Sequence, residues 1–221
     1  MAPFDTALEV LSFLGCGVFA AAGALTASRK QLDPIGFILI AACTAFGGGT
    51  TRDLLLGAPV FWLREPGLLA LTAGVAILVF FTAHLAERRF LWLLWADAVG
   101  MAIFAVLGAE AALRDGASPG IAVLMGTITA TFGGVIRDVI CDELPLILRK
   151  EIYATAAAFG AAAYVGLEAA GLDRTVAISA GALLALGTRA AAILRAWSLP
   201  AYRTRPGRDY SDRGNSEGPF R

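Results

Sequence analysis

Seven apolar runs of about twenty residues follow one another along the 221-residue chain, at 8–27, 34–51, 67–85, 90–113, 116–136, 152–172 and 175–194. A run of that length is what an α-helix needs to cross the hydrocarbon core of a bilayer. Lipid offers the backbone no hydrogen-bonding partner, so only helices and closed barrels span it. Long, unalternating apolar runs select the helix. Charged residues are 16% of the chain, below the roughly 25% usual for globular domains. With 57% hydrophobic residues and a mean hydropathy of +0.70, the chain reads as an all-α polytopic membrane protein.

Composition excludes several function classes. Eighteen basic and eighteen acidic residues balance, which gives no electrostatic reason to expect a nucleic-acid partner. Cys16, Cys43 and Cys141 show no CxxC spacing, and His84 is the single histidine, so no metal site is expected. No Ser/His or Cys/His pairing supports an enzyme. The glycines at 47–49 are followed by Thr-Thr-Arg rather than the Gly-Lys-Ser/Thr of a phosphate loop. The first span is not expected to be a cleaved signal, because Asp5 and Glu9 precede or open it and the basic pair Arg29, Lys30 follows it.

Lys and Arg set the orientation. With seven spans, Arg64, Arg114 and Arg174 share a side with the N-terminus. The opposite side carries Arg29, Lys30, Arg88, Arg89, Arg149, Lys150 and the tail arginines at 203, 205, 208, 213 and 221. The expectation is N-terminus outside and C-terminus cytoplasmic. Residues 197–221 form a polar, Pro- and Gly-containing tail expected to be disordered.

The chain repeats itself at an offset of 85. Phe19, Gly23, Pro34 and Thr44 match Phe104, Gly108, Pro119 and Thr129; Gly48, Gly49, Arg52 and Asp53 match Gly133, Gly134, Arg137 and Asp138. Each unit holds three spans. Three is odd, so the second unit enters the membrane from the other side, and the architecture is two inverted three-helix repeats plus one C-terminal helix. The expected division is 1–89, 90–172 and 173–196, followed by the tail. Inverted-repeat folds place an ion or substrate route at the repeat interface, along interrupted helices.

The repeated element is Gly-Gly-x-x-Arg-Asp. Gly47, Gly48 and Gly49 in the second span, and Gly133 and Gly134 in the fifth, predict a kink or break, since each glycine costs about 1 kcal/mol of helix propensity against Ala. The other reading is that the glycines only let helices pack closely. Arg52, Asp53, Arg137 and Asp138 are expensive near bilayer depth and are expected to face a cavity or a partner. Neighbours on a helix do not face each other, so pseudosymmetry predicts crossed pairs, Arg52 with Asp138 and Arg137 with Asp53. Each Asp could equally cap the half-helix after the break. Thr44 and Thr129 could bond backbone carbonyls or offer hydroxyl oxygens to an ion.

This doubled motif in a seven-span frame resembles the trimeric intracellular cation (TRIC) channel family in its short prokaryotic form, a domain also labelled bacterial glycine transporter. The resemblance covers about residues 8–195. It implies a homotrimer in the bacterial inner membrane with one pore in each protomer, passing K⁺ and other monovalent cations, and no cofactor beyond the permeant ion. By position it implies kink glycines at Gly47, Gly48, Gly49, Gly133 and Gly134, and the family's Arg-Asp pairs at Arg52, Asp53, Arg137 and Asp138. Phe132 stands where Gly47 stands, so the two halves differ. The alternative is a secondary transporter of glycine or another small zwitterion, for which Arg would suit the carboxylate and Asp the ammonium.

Other polar residues carry weaker signals. Asp97 reads as an interfacial residue beside Trp92 and Trp95, or as negative potential in a vestibule; its repeat partner is Ser12. Glu110 and Glu168 are expected to reach water at span ends, Arg189 to snorkel, and His84 to be solvated. Ala154, Ala158, Ala162, Gly166 and Ala170 form a small-residue ridge on the sixth span, and Ala177, Gly181 and Ala185 one on the seventh.

Overall fold

The computed structural model describes residues 3–85, 88–149 and 151–200, so most of the expected tail lies outside the described residues. Seven helices follow in order: α1 (Pro3–Arg29), α2 (Pro34–Leu56), α3 (Pro66–Thr82), α4 (Arg89–Arg114), α5 (Pro119–Ile140), α6 (Ala154–Ala169) and α7 (Arg174–Arg195). Proline opens α2, α3 and α5, where its missing N–H and fixed φ suit the first helical turn. Asp33 caps α2 by accepting from the Gly36 N–H at 2.7 Å, and Asp173 caps α7 through the Thr175 N–H at 2.9 Å.

The boundaries move in ways that matter for the motifs. α2 and α5 run on past the expected span ends, so both Arg-Asp pairs lie in the last turns of helices rather than beyond them. α5 begins at Pro119 because Gly116, with φ of 82°, closes the preceding turn in left-handed backbone. Six helices are long and apolar enough to cross a membrane; α6, with 16 residues, is about 24 Å long and starts two residues later than its apolar run. Residue Glu151, ahead of it, bridges antiparallel to Ser198 just after α7. The 3-10 turn Ala83–Leu85 continues α3 and holds His84 exposed.

Packing follows the repeat. α1, α2 and α3 touch one another as α4, α5 and α6 do, while α1 meets α4 and α2 meets α5 across the centre; α7 covers α6 and α4. Phe19 and its repeat mate Phe104 stack on each other with ring centroids 5.2 Å apart, near the axis that relates the halves. Helix ends are also fixed by charge. Arg114 at the end of α4 reaches Asp5 at 3.0 Å, and Arg29 at the end of α1 reaches Glu143 beyond α5 at 3.1 Å. The bundle therefore has one end holding the start of α1 and another holding the start of α2.

At the centre α2 crosses α5 backbone against backbone. A Cβ on Gly48 would overlap the carbonyl oxygen of Thr129, and a Cβ on Gly133 would overlap that of Thr44. Both contacts are reciprocal under the repeat. The expected break is not there: α2 and α5 continue through their glycines without interruption. Close packing is what the glycines provide, as small residues do where membrane helices meet. Thr44 donates its hydroxyl to the Ile40 carbonyl at 2.7 Å and Thr129 to the Met125 carbonyl at 2.6 Å. The same hydroxyls lie against Gly23 of α1 and Gly108 of α4, where a Cβ would stand 2.5 Å away. Four helices are thus locked through two threonines.

Gly48→Ala and Gly133→Ala should each lower the thermal midpoint of the purified protein, because a methyl there meets backbone that cannot yield; overpacking of this kind costs about 1–3 kcal/mol. Gly74→Ala on α3, where a Cβ meets nothing within 4 Å, should leave the midpoint unchanged. Equal midpoints for all three variants would contradict the packing described.

Candidate functional site

Two charge clusters flank the α2–α5 crossing, one toward each end of the bundle. Near the α1 start, Arg52 and Asp53 are both buried. The Arg52 Nη2 lies 2.7 Å and its Nε 2.8 Å from Asp53 Oδ1. The other oxygen, Oδ2, accepts the Phe61 N–H at 2.8 Å. The Asp53 carbonyl accepts from the Ala58 N–H at 2.8 Å across the turn that Gly57 makes at φ of 68°. The Phe61 ring lies under the guanidinium, 5.7 Å from its centre, and packs against Gly49.

The second cluster repeats this plan toward the other end. Arg137 Nε donates to Asp138 Oδ1 at 2.7 Å; Asp138 Oδ2 accepts the Leu146 N–H at 3.2 Å, and its carbonyl accepts the Glu143 N–H at 2.8 Å. Leu146 is the repeat mate of Phe61. Each aspartate therefore divides its carboxylate between the neighbouring arginine and the first amide of the next short turn. It caps that turn, and not a half-helix after a break, since neither helix is interrupted.

The crossed pairs are not formed. Arg52 binds Asp53 and Arg137 binds Asp138, each within its own repeat. The rule that adjacent residues point apart describes Cβ positions; an arginine has the reach to fold back along its own last turn, and an aspartate one residue on protrudes past the helix end to meet it. The two clusters also lie toward opposite ends of the bundle, which inversion requires.

Arg137 has a further partner that Arg52 lacks. Asp97 of α4 accepts from Arg137 Nη1 at 2.8 Å, with both side chains at most 1% exposed. Asp97 is thus buried and paired, not solvated. The signal was available: an Asp in an otherwise apolar span needs a cationic partner, but Ser12 at the repeat-related position hid the pairing. Gly134 faces this cluster. A Cβ there would stand 3.3 Å from the Tyr153 hydroxyl, 3.4 Å from Asp97 Oδ1 and 3.5 Å from Arg137 Nη2. Gly47 of α2 instead packs against Ile136, 2.7 Å from where its Cβ would be.

Two more charges differ from expectation. Glu110 is 2% exposed rather than solvated, and accepts from the Tyr164 hydroxyl and from Arg114 Nε at 2.6 Å. Arg189 is 1% exposed rather than snorkelling; it binds Glu151 at 2.7 Å and the Ile152 carbonyl at 3.1 Å, and lies over the Tyr153 ring. Both charges found partners inside the bundle, the cheaper alternative to crossing lipid.

Cavities open toward the two ends of the bundle. One of about 170 Å³ at the α1-start end is lined by Ser12, Arg52, Glu110 and Arg114 among others. One of about 550 Å³ at the opposite end lies between the start of α2 and the end of α5, with Lys30, Ile40, Cys141 and Asp142 on its walls. A third, about 240 Å³, adjoins Arg189, Glu151 and Leu94. Burial and the nearby Glu143 push the Cys141 thiol up from its ordinary pKa. No group of three or more His, Cys, Asp or Glu side chains suited to a metal occurs among the described residues.

Seven helices, two inverted triplets and a seventh that covers them, with a glycine-rich crossing and an Arg-Asp pair in each triplet, define an inverted-repeat membrane protein. The profile described as "Glycine transporter" matches it twice, over residues 9–84 and again over 94–169. A solved TRIC trimeric intracellular cation channel orthologue from Rhodobacter sphaeroides is 50% identical and superposes with a TM-score of 0.84, over 87% of this chain and 100% of that one. A UPF0126 membrane protein of Vibrio cholerae is 39% identical over 90% of this chain and 84% of its own length. The UPF0126 inner membrane protein YadS of Escherichia coli is 43% identical over 68% and 73% respectively. The chain belongs to this family, the TRIC family in its prokaryotic form.

Because the pairs are local, exchanging charge between repeats (Arg52→Asp with Asp138→Arg) should give no rescue: the losses should add. Arg137→Met should destabilise more than Arg52→Met, since it strands two buried carboxylates rather than one; breaking a buried pair costs about 3–5 kcal/mol. Thermal midpoints of the single and double variants decide this, and a double variant more stable than either single one would overturn the local pairing.

Proposed function

We propose that the protein is a monovalent cation channel passing K⁺, that it acts as a homotrimer, and that each protomer conducts along α2 and α5. The observation that carries the reading is the crossing itself. α2 and α5, one from each repeat, pack on each other at the centre, with a cavity beside α2 at one end and one between α2 and α5 at the other. In inverted-repeat proteins the route lies at such an interface. The Rhodobacter sphaeroides relative is a trimeric intracellular cation channel orthologue and is 50% identical to this chain.

The arginines beside the route do not bar cations, because each is neutralised at hydrogen-bonding distance by its own aspartate. In the arrangement described, the Gly48–Thr129 and Gly133–Thr44 contacts close the crossing. Conduction requires α2 and α5 to part there, exposing the Thr44 and Thr129 carbonyls and letting Gly47, Gly48, Gly49, Gly133 and Gly134 line the opening. In this reading residues 1–89 and 90–172 are the repeats, 173–196 is a covering helix and 197–221 a cytoplasmic tail.

A second reading, transport of glycine or another small zwitterion, is favoured by one observation. The cavity of about 170 Å³ has Arg52 and Arg114 to meet a carboxylate and Glu110 to meet an ammonium. No covalent chemistry is implied by either reading, and no nucleic acid or cofactor.

Purified protein in a planar bilayer under a KCl gradient should give discrete current steps that reverse near the K⁺ equilibrium potential. Absence of unitary currents across voltage and pH, together with saturable uptake of labelled glycine into liposomes, would replace the channel by the transporter. The distribution of basic residues supports a bacterial inner-membrane protein with its C-terminus on the cytoplasmic side. A C-terminal green fluorescent protein fusion should therefore fluoresce and an alkaline phosphatase fusion stay inactive; the reverse pattern would invert the orientation.

A further inference from the structure

The cavity of about 550 Å³ between the start of α2 and the end of α5 joins an apolar wall to a charged rim. Leu32, Leu39, Ile40 and Ile140 belong to the wall, and Lys30 and Asp142 to the rim. Lys30 follows the end of α1 and Asp142 the end of α5, and both are exposed. From Pro34 to Ile40 the wall runs about 9 Å along α2, away from that rim. Leu39 and Ile140 are each more than half exposed, so the cavity opens sideways, where lipid surrounds a membrane bundle. Its volume falls in the range of about 300–1,000 Å³ that bound ligands occupy.

The rim carries one charge of each sign. Lys30 shares Glu143 with Arg29, and Arg29 lies closer, at 3.1 Å against 3.7 Å. Asp142, held past the end of α5 by left-handed backbone at φ of 50°, has no ion-pair partner among the described residues. Asp33, beside the same rim, accepts the Gly36 N–H and is spent on the α2 cap. The repeat separates wall from rim. At the offset of 85 the wall stays apolar, with Leu124, Met125 and Leu55 for Leu39, Ile40 and Ile140. The rim does not repeat, since Asp115 stands for Lys30 and Gly57 for Asp142. The preference for basic residues on the cytoplasmic side accounts for Lys30. It gives no reason for an uncommitted carboxylate beside it.

We propose that this cavity binds one phosphatidylethanolamine molecule from the leaflet at the α2 start. Its phosphate meets Lys30, its primary ammonium meets Asp142, and one acyl chain lies along the wall. Both headgroup contacts are charge-assisted hydrogen bonds, the stronger kind. Phosphatidylglycerol brings no cation to Asp142. Phosphatidylcholine brings a trimethylammonium with no N–H to donate. Asp142 is then the residue that selects the headgroup, and Lys30 the one that holds phospholipid of any kind. Binding depends on neither transport reading, so bilayer currents neither support nor defeat it.

The test is the thermal midpoint of the full-length protein, delipidated in detergent and titrated with dioleoyl phosphatidylethanolamine, phosphatidylglycerol or phosphatidylcholine at equal mole fraction. Phosphatidylethanolamine should give the largest and a saturable rise. Asp142→Asn should bring that rise down to the phosphatidylcholine level. Lys30→Gln should raise the half-saturating concentration of every lipid about fivefold. Both side chains are exposed, so both variants should fold. Leu39→Trp puts bulk into the cavity without touching the rim, and should abolish the rise. Equal rises for the three lipids, or a preference that survives Asp142→Asn, overturns the site. So does an equal rise with glycerophosphoethanolamine, which has the headgroup and no acyl chain. A midpoint indifferent to all three lipids overturns it too, and would leave the cavity to a neighbouring copy of the chain.

Discussion

The contact of two glycines with two threonine carbonyls governs the rest of this structure. Gly48 under Thr129 and Gly133 under Thr44 bring α2 and α5 within backbone contact, and no other residue type fits. Lipid supplies no hydrophobic drive to hold helices together, so close van der Waals approach has to. The threonines carry the contact outward, since their hydroxyls bond their own helices and lie against Gly23 and Gly108. The inverted triplets are thereby joined at one place by paired contacts, and the stacked Phe19 and Phe104 rings sit beside them.

The charges solve a different problem. A charged residue near bilayer depth is expensive unless paired. Each Arg-Asp pair answers this within its own last helical turn and fixes the following turn through an amide. One six-residue motif thus supplies the crossing through its glycines and the neutralised end through its Arg and Asp. That economy explains why the motif occurs intact in both halves while the surrounding apolar residues drift.

Much of this was legible in the sequence. Helix number, the inverted repeat and the importance of the doubled motif all follow from run length, an offset of 85 and an odd span count. For the glycines the sequence offered both a break and close packing; propensity, which measures a helix alone, favoured the break, whereas α2 and α5 hold their hydrogen bonds and use the missing side chains for a neighbour. The pairing of Arg52 was missed because spacing rules follow Cβ positions and ignore the reach of a guanidinium. The Asp97–Arg137 pair was missed because repeat logic looks for what the halves share, and this contact is where they differ. Glu110 and Arg189 were placed in water because they lie near span ends, whereas Tyr164 and Glu151 bring partners to them inside the bundle.

A crossing made of bare backbone is also a crossing that can part. Side chains interdigitated across α2 and α5 would have to unpack before an opening formed. Glycine against carbonyl has nothing to unpack, and the Thr44 and Thr129 hydroxyls already hold bonds within their own helices that survive separation. The strongest electrostatic bonds at the site, Arg52 to Asp53 and Arg137 to Asp138, lie within one helix each and need not break either. Asp97 is the exception, since it ties α5 to α4 through Arg137. Movement of α5 against α2 therefore leaves the Arg52 pair intact and strains the Asp97 contact, which makes the two ends of the crossing mechanically unequal.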